Sequence, residues 1–181
     1  MTIHRRALVL GGARSGKSRT AQAIAEKTAG ERLFVATAQP FDDEMRERIR
    51  RHRDERRDGW RTCEAPLELA QAIREGTGPG RVVLVDCLTL WLSNVLLAGR
   101  DVEDETERLA GAVRDAGGPV VLVSNEVGQG IVPETPLGRR FRDAQGRLNQ
   151  RMAETCDAVI LVAAGCPLLL KPAPSLDLTL A

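Results

Sequence analysis

A glycine-rich stretch close to the start of the chain constrains the fold more than any other feature of the sequence. Residues 11–18 match the spacing G-x-x-x-x-G-K-[ST] of a phosphate-binding loop. The loop consists of Gly11, Gly12, Ala13, Arg14, Ser15, Gly16, Lys17 and Ser18. Such a loop must lie between a strand and a helix, and here an apolar run at 7–10 precedes it and a helical pattern over 17–28 follows it. Because glycines let the main-chain N–H groups converge at the positive end of that helix, the loop predicts a bound nucleoside triphosphate.

Three side chains have predicted roles around the phosphates. Lys17 supplies a mobile cation for the β- and γ-phosphates, and the Ser18 hydroxyl is the kind of oxygen ligand that Mg²⁺ prefers. Asp86 ends the apolar run 82–86, the position from which the acid of phosphate-loop proteins reaches Mg²⁺ directly or through water. Apolar runs that end in Asp are common, so the alternative stays open that Asp86 caps the helix starting near Leu88.

Apolar runs and helical patterns alternate along the chain. Strand-like runs occupy 7–10, 33–37, 82–87, 120–124, 158–163 and 168–171. Helical patterns occupy 17–28, 41–56, 65–75, 88–98, 102–116 and 137–155. The runs are apolar throughout rather than alternating, which is typical of parallel strands buried on both faces. We therefore predict an α/β fold of the P-loop NTPase type (RecA-like), with a mostly parallel sheet and helices on both faces, as a single domain over 1–171 followed by a loosely held tail at 172–181.

Charge and cysteine content argue against several classes of protein. The 181 residues carry a net charge of +1, which creates no strong field to recruit nucleic acid or a membrane surface. No apolar run approaches the length that a membrane span needs. The four cysteines form no C-x-x-C pair, so we expect reduced thiols in a cytoplasmic protein, with Cys87 and Cys156 in the core.

A basic segment over 40–57 contains the histidine that is best placed for chemistry. At helical spacing, one face of this segment carries Phe41, Met45, Ile49 and His52. Arginines flank His52 on both sides, and neutral imidazole is a competent nucleophile toward phosphorus. The spacing by itself favours a plainer interpretation, a partly buried histidine at the end of a helix with a solvated basic face. The other histidine, His4, precedes the first strand.

Four stretches of the sequence together point to a known family. They read GGARSGKS, FDDEMRERIRRHR, WRTCEAP and SNEVGQGIVPETPLGRRFRDAQGRLNQRMAE. In these stretches the chain resembles the bifunctional adenosylcobinamide kinase / adenosylcobinamide-phosphate guanylyltransferases of cobalamin biosynthesis, and the resemblance runs from residue 8 to residue 171. Its most specific part is N-E-V-G-x-G-I-V-P-E at 125–134, which ordinary phosphate-loop kinases lack.

The resemblance implies roles for individual residues. The histidine that matches His52 accepts GMP from GTP as a covalent guanylyl-histidine, while Lys17 acts in phosphoryl transfer. Besides the loop, the residues that match nucleotide contacts of the family are Ala36, Thr37, Ala38, Arg53, Asp54, Glu55, Arg56, Glu64 and Asp86. Some family members carry Glu at the position of Asp86, so the contact of this carboxylate is either the guanine edge or Mg²⁺.

The resemblance also implies two reactions and their substrates. ATP or GTP, with Mg²⁺, phosphorylates the corrinoid adenosylcobinamide, and GTP then donates GMP to give adenosylcobinamide-GDP. Family members of this type form trimers, so we expect a homotrimer. Two other functions stay open: a single-activity phosphate-loop kinase that leaves His52 idle, and a GTPase switch, for which the guanine-reading motif N-K-x-D is absent from the sequence.

Two features that follow the fourth predicted strand each allow two interpretations. The segment 125–134 follows a buried strand, and we expect it to lie over the corrinoid or the nucleotide; the alternative is a tight glycine-containing connection without chemistry. Arg139, Arg140 and Arg142 either meet phosphate or form a solvated helix face.

Overall fold

Seven strands form one sheet in the described part of the chain. The structure is a computed structural model that describes residues 4–39, 46, 47, 50 and 59–173. The strands are β1 (Arg6–Gly11), β2 (Glu31–Ala36), β3 (Trp60–Glu64), β4 (Arg81–Asp86), β5 (Val120–Asn125), β6 (Ala158–Ala163) and β7 (Cys166–Lys171). The helices are α1 (Lys17–Ala25), α2 (Leu69–Gly76), α3 (Leu88–Leu97), α4 (Val102–Arg114) and α5 (Pro136–Thr155).

The order of the strands across the sheet is β3-β2-β4-β5-β1-β6-β7. Neighbouring strands from β3 to β6 are parallel, and β7 returns antiparallel to β6. The strand that leads into the glycine-rich loop, β1, therefore lies in the interior of the sheet between β5 and β6. The six parallel strands direct their carboxyl ends to one edge, where open α/β sheets bind ligands. The predicted mostly parallel sheet is confirmed.

Apolar residues on both faces of the sheet form the core. On one face, Leu8 of β1 belongs to a cluster packed against α2, α3, α4 and α5. On the other face, Ala7 and Val9 belong to a second cluster, which includes Ala21 and Ala25 of α1. Successive residues of a strand point to opposite faces, so a strand covered on both faces requires a continuous apolar run. The prediction of helices on both faces is confirmed.

The two edge strands differ most from the sequence prediction. β3 was not predicted, because Arg61 and Thr62 are exposed and the strand has no apolar run. A short polar strand is typical of a sheet edge, where an exposed apolar strand would invite further pairing. β7, at the opposite edge, is apolar and exposed; it begins at Cys166 rather than at 168.

Two predicted helices need comment. α2 begins at Leu69 rather than at 65, and Pro66 disfavours helical backbone at the residue before it. Of the helix predicted over 41–56, residues 46, 47 and 50 are described, and all three are helical. There Arg50 donates to the Glu47 carboxylate at 2.8 Å.

The positions of Cys87 and Cys156 are those that the sequence analysis predicts. Cys87 and Cys156 are buried, Cys63 and Cys166 are not, and all four are free thiols. Within the described ranges, no helix is both long enough and apolar enough to cross a membrane.

Candidate nucleotide-binding site

The glycines of the loop at 11–18 are required by close packing and by main-chain geometry. A Cβ atom on Gly11 would lie 2.5 Å from the carbonyl oxygen of Val162 and would also collide with the Ser15 hydroxyl. Gly16 is the N-cap residue of α1 and has a φ of +95°, a left-handed conformation that favours glycine. The spacing of the motif therefore corresponds to two positions in which a side chain is excluded.

Lys17 lies at the mouth of the loop. Its side chain is only 8% exposed, and Nζ donates a hydrogen bond to the carbonyl oxygen of Gly12 at 3.1 Å. Ser18 is half-buried in the first turn of α1. The predicted cation and hydroxyl are thus both at the positive end of the helix, where phosphate oxygens bind.

Main-chain hydrogen bonds fix the loop to its neighbours on both sides. Within the loop, the Ser15 N–H donates to the Gly12 oxygen at 3.3 Å. On one side, the Gly165 N–H in the β6–β7 turn donates to the Ser15 oxygen at 2.8 Å. On the other, the Glu126 N–H donates to the Gly11 oxygen at 3.1 Å. The turn and the residue after β5 were not predicted to contact the loop.

Three predicted nucleotide contacts lie in one row at the ligand-binding edge. Ala36 is in register with Glu64 on β3 and with Asp86 on β4. Glu64 is exposed and Asp86 is half-buried. Ala38, two residues beyond β2, is half-buried. The tertiary structure thus brings together residues that are up to fifty positions apart in the sequence.

A buried polar cluster holds the ends of β2 and β4; it consists of Thr37, Cys87 and Asn94 and is called here the Thr37 cluster. The Thr37 hydroxyl donates to the Cys87 oxygen at 2.7 Å and accepts from the Cys87 N–H at 2.9 Å. Asn94 Nδ2 donates to the oxygens of Thr37 and Pro66, both at 2.9 Å. Thr37 itself is fully buried. Its polar groups position Ala36 and Asp86, while its predicted contact with nucleotide stays a prediction.

A second buried cluster holds the end of β5; it consists of Thr89, Ser124, Asn125, Gln145 and Asn149 and is called the Asn125 cluster. The Asn125 N–H donates to Thr89 Oγ1 at 2.8 Å, and the Asn125 oxygen accepts from Asn149 Nδ2 at 3.0 Å. Asn149 Oδ1 accepts from Ser124 Oγ at 2.7 Å and from Gln145 Nε2 at 3.0 Å. Gln145 Nε2 also donates to Ser124 Oγ at 2.9 Å. Both main-chain groups of Asn125 are therefore fixed.

Sequence reasoning singled out Thr37, Cys87 and Asn125 but missed several of the side chains that pair with them. Thr89 and Asn94 both belong to α3, whose sequence LTLWLSNVLL is otherwise apolar. A buried polar side chain must find hydrogen-bond partners. Asn94 inside an apolar helix therefore indicated, from the sequence alone, that a buried hydrogen bond forms at this position. The positions of its partners on β2 and before α2 could not be inferred from that signal.

The charges of Lys17 and Asp86 both affect the pKa of the buried Cys87 thiol. Burial, and after it the charge of Asp86, raises the pKa of the Cys87 thiol to about 11, while main-chain hydrogen bonds and the charge of Lys17 act in the opposite direction. Burial likewise raises the pKa of Cys156 to about 12. Both thiols are thus protonated at neutral pH, as expected of core residues. Cys87, not Asp86, occupies the N-cap position of α3, and the Asp86–Cys87 peptide bond is cis.

The donor set of Ser18 and Asp86 fits Mg²⁺. A hydroxyl and a carboxylate are hard oxygen ligands, and Mg²⁺ in nucleotide sites takes one or two protein ligands beside phosphates and water. In the described residues, no three His, Cys, Asp or Glu side chains gather into a group that could hold a metal on its own.

A cleft of about 430 Å³ lies beside the loop, on the β5 and β6 side. It is formed by residues 12–15, by Glu126 and Gln129, and by residues 161–164. Glu126 Oε1 accepts the Gly128 N–H at 2.5 Å, which closes the first turn after β5. The cleft therefore lies at the ends of β5, β1 and β6, whereas the row that contains Asp86 lies on β4, β2 and β3.

The rest of the segment 125–134 and the arginines of α5 are largely exposed. Ile131 is 96% exposed and projects from the segment. Arg139 donates to the oxygens of Pro133 and Glu134 at 3.0 and 2.6 Å. Arg142 pairs with the adjacent Asp143 at 3.1 Å, and Arg140 is exposed. These contacts fit the interpretation of a solvated helix face.

The predicted nucleophile is not among the residues that the structure describes. His52 lies outside them, and so do Arg53, Asp54, Glu55 and Arg56. Their roles stay predictions.

The fold and the loop define a P-loop nucleotide-binding protein. The chain is similar in structure to a prototypical ATPase from the type III secretion system of pathogenic bacteria, with a TM-score of 0.54 and 11% sequence identity. The match covers 87% of this chain and 50% of the ATPase, so the chain spans half of that protein's length. At this identity the likeness bears on the fold alone, and it confirms the predicted RecA-like P-loop fold.

The sequence comparisons identify the family. The sequence model of the CobU family, cobinamide kinase / cobinamide phosphate guanyltransferase, matches residues 7–170, and the chain belongs to that family. The chain is 46% identical to the bifunctional adenosylcobalamin biosynthesis protein CobP of Pseudomonas aeruginosa, over 93% of this chain and 99% of the relative. It is 42% and 40% identical to the CobU proteins of Salmonella typhimurium and Escherichia coli, over 91% of this chain and 98% of each relative.

Proposed function

We propose that the chain catalyses two successive reactions on a corrinoid. The first phosphorylates the hydroxyl of adenosylcobinamide with ATP or GTP. The second transfers GMP from GTP to adenosylcobinamide phosphate and yields adenosylcobinamide-GDP. The observation that carries the proposal is a complete phosphate-binding loop, with Lys17 at its mouth, in a chain that matches the cobinamide kinase / cobinamide phosphate guanyltransferase family over residues 7–170.

In the kinase step, the loop binds and orients the phosphates of the nucleotide. Main-chain N–H groups at the start of α1 and the ammonium of Lys17 stabilise the charge that develops on the transferred phosphoryl group. Ser18 and Asp86 would hold Mg²⁺, which when bound neutralises part of the charge on the β- and γ-phosphates. The buried position of Lys17 supports this role, because a cation shielded from water interacts more strongly with phosphate.

In the transfer step, His52 attacks the α-phosphorus of GTP and pyrophosphate leaves. The phosphate oxygen of adenosylcobinamide phosphate then displaces His52, which splits one exchange into two steps and leads to ping-pong kinetics. We assign nucleotide contacts to Ala36, Thr37, Ala38, Arg53, Asp54, Glu55, Arg56, Glu64 and Asp86. The row formed by Ala36, Glu64 and Asp86 supports the assignment.

Labelled GTP tests the covalent step. Wild type, His52→Asn and the control His4→Asn are incubated with GTP that is labelled at the α-phosphate, then denatured and assayed for retained label. We expect acid-labile, base-stable label on wild type and on His4→Asn, and none on His52→Asn. Folded wild type that binds GTP but retains no label would contradict the covalent step.

The second candidate is a single-activity kinase, which the intact loop by itself also allows. It predicts phosphorylation of adenosylcobinamide together with no label from GTP in the same experiment. The trimeric state and the cytoplasmic location that we expect stay predictions, and so do the absence of a nucleic-acid partner and the single domain over 1–171. Sedimentation velocity of the purified chain measures the oligomeric state directly.

A further inference from the structure

We propose that Glu126 is the general base of the kinase step, which takes the proton from the acceptor hydroxyl as that hydroxyl attacks the γ-phosphorus. This inference rests on the proposed function and adds a residue and a role that the resemblance does not assign. It combines three observations: a fixed main chain, a position beside the terminal phosphate, and a carboxylate oxygen that is available to a substrate.

The main chain of Glu126 is held against the loop. Its N–H donates to the Gly11 oxygen at 3.1 Å, and Gly11 is in register with Asn125. Both main-chain groups of Asn125 are bonded within the Asn125 cluster, by Thr89 and Asn149. Glu126 therefore begins from a rigid point, as a group that must meet a reacting atom should.

The side chain of Glu126 lies at the end of the loop where the terminal phosphate is expected. In loops of this kind the lysine binds the β- and γ-phosphates, and here Lys17 Nζ is at the Gly12 oxygen, 3.1 Å away. Glu126 and Gly12 line the same cleft of about 430 Å³. Glu126 thus borders the space where the γ-phosphate is expected, and not the row of Asp86.

A carboxylate beside a triphosphate is unfavourable unless it receives a proton or a cation. Glu126 Oε1 accepts the Gly128 N–H at 2.5 Å. The second carboxylate oxygen, Oε2, has no hydrogen-bond partner among the residues that the structure describes, so it is available to an incoming hydroxyl. Gln129 and residues 161–164 line the rest of this side of the cleft without adding another carboxylate.

The step balances as follows. A lone pair of the hydroxyl oxygen forms the new bond to the γ-phosphorus, while the bond from that phosphorus to the β–γ bridging oxygen breaks. The nucleoside diphosphate leaves with the bonding electrons, and the hydroxyl proton moves to Glu126 Oε2. A positioned base of this type typically contributes about 10²–10⁴-fold to the rate.

The test separates the two reactions in one protein. Glu126→Gln keeps an Oε1 atom that can accept the Gly128 N–H, so the turn is preserved, but it cannot take the proton. We expect the kinase kcat to fall by about 10²–10³-fold, while nucleotide affinity and GMP transfer to supplied adenosylcobinamide phosphate stay close to wild type. Glu103→Gln, the same change on the exposed surface of α4, serves as the matched control.

Several outcomes would overturn the assignment. Unchanged kinase activity in Glu126→Gln would show that the side chain only closes the turn. Recovery of the activity at high Mg²⁺ would make Glu126 a metal ligand, and equal loss of both reactions would indicate a damaged loop. Glu126→Asp keeps the carboxylate and should retain at least about tenfold more kinase activity than Glu126→Gln; equal activity of the two variants would also overturn it. Wild type that phosphorylates no adenosylcobinamide would instead refute the proposed function itself.

Discussion

The two buried clusters behind the ligand-binding edge stabilise it in different ways. In the Thr37 cluster, each hydrogen bond joins a side chain to a main-chain atom, as in the pair between the Thr37 hydroxyl and the Cys87 backbone. In the Asn125 cluster, three of the bonds join side chains to each other. There Gln145 Oε1 is buried and has no partner within the described residues. Among the described residues, no buried side-chain atom of the first cluster lacks a partner, whereas Gln145 Oε1 of the second does.

The clusters also support different parts of the site. The Thr37 cluster fixes the ends of β2 and β4, and with them Ala36 and Asp86. We assign the whole row to guanylyl transfer, whereas the kinase step uses only Asp86 of the row, as a Mg²⁺ ligand. The Asn125 cluster fixes the end of β5 and the contact of Glu126 with the loop, which we assign to the kinase step. Helix α3 contributes Asn94 to the first and Thr89 to the second. Changes in one cluster should therefore affect one reaction more than the other.

The largest effect is expected at Lys17, which belongs to neither cluster and serves both reactions. Lys17→Met removes the cation at the mouth of the loop, and the loop binds phosphates in both reactions. We expect kcat to fall by about 10²–10³-fold in the kinase step and a large loss in guanylyl transfer, measured by steady-state assays of each. Lys27→Met, which changes an exposed lysine shortly after α1, is the control. Retention of either reaction in Lys17→Met would show that the loop serves only the other.

Asn94→Leu breaks the Thr37 cluster. It leaves the buried oxygens of Thr37 and Pro66 without donors, so we expect a loss of about 2–4 kcal/mol in the free energy of unfolding, measured by urea denaturation. A displaced row should slow guanylyl transfer by about 10²-fold and the kinase step less, because that step uses only Asp86 of the row. Equal losses in both reactions, compared at equal folded fractions, would contradict the division between the clusters.

Asn149→Leu breaks the second cluster and should reverse the pattern. The Asn125 oxygen loses its donor, and Ser124 and Gln145 lose an acceptor, at an expected cost of about 1–3 kcal/mol. In this variant the rate of the kinase step should fall more than the rate of guanylyl transfer. Gln150→Leu, at the exposed neighbouring position, controls for the new leucine. If Asn149→Leu slows the kinase step no more than Asn94→Leu does, the two clusters do not support different reactions.

Gln145→Met should have the smallest effect. The methionine keeps the volume and loses two donated hydrogen bonds, but it also removes a buried oxygen that has no partner. Because these terms oppose each other, we expect the free energy of unfolding to change by less than about 1 kcal/mol. A change of more than about 2 kcal/mol would indicate that a buried water satisfies Gln145 Oε1.

The sequence by itself determined the parts of this protein that depend on local chemistry. The loop could be predicted because Gly11 and Gly16 occupy positions where a side chain is excluded, and because Lys17 follows at a set spacing. The interior strands could be predicted because burial on both faces requires continuous apolar runs. β3 could not be predicted in this way, because a strand at the edge of the sheet does not require a continuous apolar run. The role of His52 remains a prediction.

Only the tertiary structure decided which distant residues meet. The strand order places Asp86 and Glu64 on either side of Ala36, and it places Glu126 against Gly11. Asn94 reaches Thr37 across 57 positions of the chain. A buried side-chain amide must form hydrogen bonds. The local sequence pattern shows that such a bond is required, but it does not show which residue is the partner. The partner depends on which strands become neighbours, and that order follows from how the whole chain packs.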